Sequence, residues 1–185
     1  VYRCHIYEMG KGGVIVKGGD RKTLTPANNE IWGNRIHSFN RIYESSAPAV
    51  LVSGVKQTIA YNTIYDAPHT MIQLVGANDT LIEHNEIYNG VQKASDIGAI
   101  YQGRKVYELG TTIRYNLFHD IGNKNGGYGQ QSIFVDDGGA GAYIYGNIFD
   151  RGTLPPSQGG KSKTSHVIKT NSGQYNCIKN NIFID

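Results

Sequence analysis

The chain has 185 residues, of which 24 are glycine and 16 asparagine; 18% are charged, the net charge is +3 and the pI is near 8.8. Helical proteins do not spend glycine and asparagine this way, and the Lys and Arg residues form no clustered stripe of the kind that nucleic acid requires. No apolar run reaches the roughly 18 residues of a membrane-spanning helix. The length suits one domain, and Cys4 and Cys177, far apart and in no CxxC pattern, support neither a disulfide framework nor a zinc site.

A six-residue phrase, I-x-x-N-x-[I/F], recurs from one end to the other. A degenerate copy opens the chain at Val1, Cys4 and Ile6. Strict copies follow at Ile31, Asn34 and Ile36; Ile59, Asn62 and Ile64; and Ile82, Asn85 and Ile87. Three more stand at Ile113, Asn116 and Phe118; Ile144, Asn147 and Phe149; and Ile178, Asn181 and Phe183. Each copy carries too few apolar side chains to bury a face alone, so the copies must stack around a shared core. Ile and Phe favour strands. The asparagine is expected at the bend between strands, because it tolerates left-handed backbone angles. Its amide would bond to its counterpart one strand spacing away, about 4.8 Å.

A second apolar run accompanies most copies, at residues 14–16, 50–52, 71–72, 99–101 and 132–135. Several strands per turn, with successive asparagines 23 to 34 residues apart, predict an all-β right-handed parallel β-helix. This solenoid would have about six to seven turns, forming a single domain over residues 1–185. Leucine-rich repeats and WD propellers need signatures that the chain lacks. Insertions at 17–30, 102–112, 121–131 and 150–165, rich in Gly, Lys, Thr, Ser and Pro, are expected as loops on one face, often the binding face. The chain begins and ends inside the repeat phrase and has no signal-peptide pattern. It reads as a piece of a longer protein whose open ends would meet the remainder of that chain or another copy.

Aligning the second runs stacks Val14, Val50, Ile72, Ile100, Ile133 and Ile168 inward. Ile15, Leu51, Gln73, Tyr101 and Phe134 then face outward. Two further columns follow: Lys17, Ser53, Val75, Gly103 and Asp136, then Gly18, Gly54, Gly76, Arg104 and Asp137. This register sets Arg104 beside Asp137 and brings His69 close to Asp96 and Ile97. Polar residues gather on the middle turns of one face, which marks the candidate site. His84 shares a column with Tyr61 and Tyr115 and is expected in an outward aromatic stack, not in catalysis. The two cysteines read as buried fillers.

Four passages carry a resemblance: GGDRKTLT at 18–25, YDAPH at 65–69, DIGAIYQGR at 96–104 and DDG at 136–138. Together with the repeat, they resemble right-handed β-helix glycoside hydrolases of the family 141 type. The resemblance implies fucosidase- or xylanase-like action on a plant or algal polysaccharide or oligosaccharide. It also implies a secreted or periplasmic location and an acidic pair matching Asp96 and Asp137. Substrate binding would fall to His69, Tyr101, Arg104 and Asp136.

Glycoside hydrolysis needs one carboxylic acid and one carboxylate, about 5–5.5 Å apart when retaining and about 6.5–9.5 Å when inverting. Arg104 would hold Asp137 ionised as base or nucleophile, leaving Asp96 as the acid. In register, however, the two aspartates are eight residues apart along the strand, about 26 Å if extended. The pair requires residues 92–95 to fold back over the groove; otherwise Asp136 or the Asp66 and His69 corner must supply a partner.

Two other functions compete. A polysaccharide lyase acting on a uronate-containing glycan would use Arg104, Tyr101 and His69, with Asp136 and Asp137 holding calcium. A non-catalytic carbohydrate-binding β-helix would use Tyr101 and Phe134 as sugar platforms. Outside the lyase reading, no cofactor or metal is expected, and no membrane or nucleic-acid partner.

Overall fold

The computed structural model describes residues 1–123, 129–151 and 166–184. The chain winds through a repeating cycle of three short strands. The first cycle is β1 (His5–Tyr7), β2 (Val14–Gly18) and β3 (Glu30–Trp32), and each later cycle lays one strand in register on each of these. Onto β1 stack β4 (Arg35–His37), β7 (Thr63–Tyr65), β10 (Glu86–Tyr88), β13 (Leu117–His119), β16 (Ile148–Asp150) and β19 (Ile182–Ile184). Onto β2 stack the longer strands β5 (Val50–Val55), β8 (Ile72–Asn78), β11 (Ile97–Gly103), β14 (Gln130–Asp136) and β17 (His166–Thr170). Onto β3 stack β6 (Thr58–Ala60), β9 (Leu81–Glu83), β12 (Thr112–Arg114), β15 (Tyr143–Tyr145) and β18 (Cys177–Lys179). Strands that are neighbours in a sheet run parallel. This is the expected parallel β-helix. Its six aligned asparagines bound five complete turns, with further strands at either end, slightly below the six to seven turns expected.

The asparagine column forms a continuous ladder. Each Oδ1 accepts both the backbone N–H and the Nδ2 of the asparagine one turn earlier, at 2.9 Å from Asn34 to Asn62 and at 3.0 Å from Asn147 to Asn181. Asn34, Asn62, Asn85, Asn116 and Asn147 are buried, so the ladder meets the demand that buried amides be bonded. The backbone bend does not fall on these asparagines. It falls one residue earlier, at Gly33 (φ 66°), Tyr61 (φ 58°), His84 (φ 54°), Tyr115 (φ 56°) and Gly146 (φ 66°). An amide committed to the interior leaves the left-handed position to its neighbour, whose side chain is thrown outward. The outward stack follows: Tyr61 lies 4.8 Å from His84, and His84 lies 5.4 Å from Tyr115, centroid to centroid.

The apolar phrase residues line the interior. Ile31, Ile59, Ile82, Ile113 and Ile144 form one buried column, and Ile36, Ile64, Ile87, Phe118 and Phe149 another. The β2-type sheet keeps the expected inward register, with Val14 on Val50, Val50 on Ile72, Ile72 on Ile100, Ile100 on Ile133 and Ile133 on Ile168. One expected column breaks. Val52 pairs with Leu74, but Gly54 pairs with Ala77 and not with Gly76. The extra residue in β8 is a bulge, a device that re-aims side chains beside sites.

Among the described residues, Cys4 is exposed and Cys177 half-buried, both as free thiols, so neither is the buried filler expected. Parts of the insertions at 121–131 and 150–165 lie outside the described residues. No helix among the described residues is long and apolar enough to cross a membrane.

Candidate active site

One cavity of about 450 Å³ opens on the β2-type sheet, and His69, Asp96, Tyr101, Arg104, Asp136 and Asp137 all line it. The sheet positions them from both ends of its strands. Asp96 immediately precedes β11, whose Ile97 pairs with Gln130, while Asp137 immediately follows β14, whose Asp136 pairs with Gly103. The eight-residue offset along the strands therefore stands, and the two aspartates enter the cavity from opposite ends.

The chain curls where Asp96 enters. A Cβ placed on Gly98 would lie 2.6 Å from the Ile100 carbonyl oxygen and 2.8 Å from the Phe134 nitrogen. Only glycine fits there. The preceding residues are tied to both neighbouring turns, with the Gln92 and Lys93 amides donating to the carbonyls of Ala67 and Pro68, and Gln130 Nε2 donating to the Ala94 carbonyl at 2.8 Å.

The three carboxylates differ in their surroundings. Asp136 is only 6% exposed, and both its oxygens are taken. Oδ2 accepts from the Tyr101 hydroxyl at 2.9 Å and Oδ1 from Asn171 Nδ2 at 3.0 Å. These bonds offset the cost of burying the carboxylate. Asp137 is half exposed and faces Arg104 Nε at 3.4 Å, as the register predicts. The Asp96 side chain is 61% exposed and meets Lys169 Nζ at 3.6 Å. Arg104 would single out Asp137 as the ionised partner only if Asp96 had no cation. Lys169 supplies one, so the cations do not separate the two roles.

Lys169 and Asn171 escaped the sequence reading. Their signal was present, because the pairing of Ile133 with Ile168 places Lys169 beside Phe134 and, three residues past Ile168, Asn171 beside Asp136. Lys169 also changes the fate of Phe134. Its Nζ lies 4.4 Å from the ring centroid, and Phe134 is 1% exposed. Phe134 is therefore no sugar platform. Tyr101, in edge contact with Phe134 at 5.7 Å, is buried as well and offers the cavity little beyond its rim.

Burial, reinforced by the bond to Asp136, pushes the Tyr101 hydroxyl up to about 12, so it keeps its proton at neutral pH. Burial lowers His69, which is therefore neutral at pH 7, and its Nδ1 is buried with no hydrogen-bond partner among the described residues. The cavity thus holds two accessible carboxylates, each with a cation, one fixed carboxylate beneath them and one neutral imidazole. This set is suited to moving protons at a polar substrate. Among the described residues, no three His, Cys, Asp or Glu side chains are grouped to hold a metal ion.

A family model described as a right handed beta helix region matches residues 1–183. No curated protein and no solved structure matches the chain.

Proposed function

The chain belongs to the right-handed β-helix family, and from that premise we propose that it is a glycoside hydrolase acting through Asp96 and Asp137. The fold is common among carbohydrate-active proteins, but function resides in the site grafted on it. The observation that carries the reading is that Asp96 and Asp137 line one cavity, each beside a cation and both open to solvent. The substrate is a polysaccharide or oligosaccharide, with fucosidase- or xylanase-like cleavage, and the place of action is secreted or periplasmic.

Asp137 is assigned as the base or nucleophile and Asp96 as the acid, an order that the two neighbouring cations leave open and that leaving-group dependence decides. To carry a proton, Asp96 must open its contact with Lys169. An ion pair this exposed contributes only about 0–1 kcal/mol, so opening it costs little. Because the two aspartates enter eight residues apart along the strand, their side chains must reach toward each other along the cavity to meet the roughly 6.5–9.5 Å spacing of an inverting pair. Asp136 holds Tyr101 and Asn171 in place with both its oxygens. That commitment counts against the lyase reading, which needs Asp136 as a calcium ligand, and the protonated Tyr101 is a poor base for proton abstraction.

Nitrophenyl glycosides test the roles. Their leaving group departs without protonation, so an Asp96→Asn variant should keep turnover on them while losing it on natural glycans. An Asp137→Asn variant should lose both. Equal retention by both variants on natural glycans would remove the aspartates from the chemistry.

A further inference from the structure

A second cavity, of about 500 Å³, is lined from the far end of β8. Its walls include Arg21, Lys22, Asn78, Asp79 and Tyr107. Arg21 and Lys22 belong to the GGDRKTLT passage, which the carboxylate site does not use. They sit at the tip of a small closed hairpin. Asp20 and Thr25 exchange backbone bonds at 3.0 Å in each direction, and the Lys22 amide donates to Asp20 Oδ1 at 2.8 Å.

Arg21 is held on two sides. Its Nε donates to Asn78 Oδ1 at 3.0 Å, and its guanidinium carbon lies 5.1 Å from the Tyr107 ring centroid. Asn78 is fixed in turn by donating to the Tyr107 carbonyl at 2.8 Å. Below the guanidinium lies Gly76, where an added Cβ would come within 3.2 Å of Nη1. Among the described residues, neither the Arg21 Nη atoms nor Lys22 Nζ make any hydrogen bond or ion pair. A guanidinium stacked on an aromatic face with its two Nη groups free is set up for bidentate binding of a planar or tetrahedral oxyanion. Asp79 is the one carboxylate in the cavity wall, set against two cations, and its Oδ1 lies against Gly110.

The two cavities are lined from the same strand and the same loop. Val75 lines the first and Asn78 the second, across the bulge in β8. Lys105 and Tyr107, on one loop, line the first and second respectively. Between them, buried Glu108 accepts from the Gly76 amide and faces Lys105 at 3.8 Å, which fixes that loop to the bulge.

We propose that the Arg21 and Tyr107 cavity is a subsite for an anionic substituent, a carboxylate or a sulfate ester, on a sugar next to the one cleaved at Asp96 and Asp137. The inference rests on the hydrolase reading for the cleaved bond, while its own binding test does not depend on turnover.

Three probes serve: galacturonic acid trisaccharide, its neutral methyl ester and a sulfated galactose trisaccharide. Calorimetric binding would be measured on the full chain for the wild type, Arg21→Met and Lys22→Ala, with unfolding temperatures as the control for folding. A charged trisaccharide should bind about tenfold or more tightly than the ester, since a hydrogen bond to a charged group carries at least that preference. The preference should shrink with added salt and nearly vanish in Arg21→Met, with Lys22→Ala intermediate. Which of the two charged probes gains identifies carboxylate or sulfate. No preference for either charged probe, no binding of either, or a preference that survives Arg21→Met would overturn the proposal. If the charge preference holds but no glycan is cleaved, the hydrolase reading alone fails.

Discussion

Replacing Asn116 with leucine tests what holds the solenoid together at its centre. Asn116 Oδ1 accepts the backbone N–H and Nδ2 of Asn85, each at 2.9 Å. Its Nδ2 donates to Ile82 O, Arg114 O and Asn147 Oδ1, each at 3.0 Å. Leucine keeps the branched shape, is somewhat bulkier, and removes all five bonds. Some partners are covered: Asn85 Nδ2 still reaches the carbonyls of Ile59 and Glu83, and Asn147 Oδ1 still accepts the Asn116 backbone N–H. The buried Asn85 N–H is left with nothing, and two carbonyls lose a donor. With about 1–3 kcal/mol for the stranded N–H and about 1 kcal/mol for each of the two carbonyls that lose a donor, less about 1 kcal/mol returned by the added apolar burial, the net loss is about 2–4 kcal/mol. For a chain of this length, that is a fall of about 5–15 °C in thermal midpoint, read by circular dichroism. Asn181→Leu, at the half-buried end of the ladder, should cost less than half as much, because water reaches the bond it abandons. Equal losses at the two positions, or none at Asn116, would refute a ladder that works through burial.

The titrating groups give two further outcomes. Tyr101 has a folded pKa near 12 against 10 when unfolded, so its contribution is intact below pH 10 and is lost as pH rises from about 10 to 12. Alkaline unfolding curves should steepen there in the wild type and flatten in Tyr101→Phe. His69 is shifted the opposite way. Its folded pKa lies below 6.5, so stability should fall as pH drops below about 6.5, and His69→Gln should remove that slope. An NMR titration placing His69 at or above 6.5 would contradict its burial as the cause. Gly76→Ala puts a Cβ at a φ of +68° and 3.2 Å from Arg21 Nη1, so it should destabilise by about 1 kcal/mol or more and weaken binding of charged trisaccharides.

The parts of this molecule written in repetition were legible in the sequence. A phrase recurring every 23 to 34 residues leaves stacking as its only way to bury Ile and Phe, and stacking fixes the register that carries Arg104 onto Asp137. What a column cannot convey is what covers its outer face. Tyr101 and Phe134 point outward from the pleat as expected, but Lys169 closes over Phe134 from the next turn. Likewise, the bulge at Val75 and Gly76 obeys no period, because it answers to Glu108 and Arg21, distant in sequence. Intrinsic tolerance of left-handed angles points to the asparagine as the bending residue. Burial of its amide instead moved the bend to its neighbour. In each case, a tertiary demand overrode a local preference.

The central claim is that Asp96 and Asp137 together cleave a glycosidic bond. Its most direct test is product analysis on fucosides, xylans and pectic oligosaccharides with the wild type, Asp96→Asn and Asp137→Asn side by side. The wild type should give new reducing ends and no unsaturated sugars. On these natural glycans each variant should lose about a hundredfold or more in turnover, with ligand binding retained. Unsaturated products, or a variant that retains most of the wild-type turnover, would contradict it.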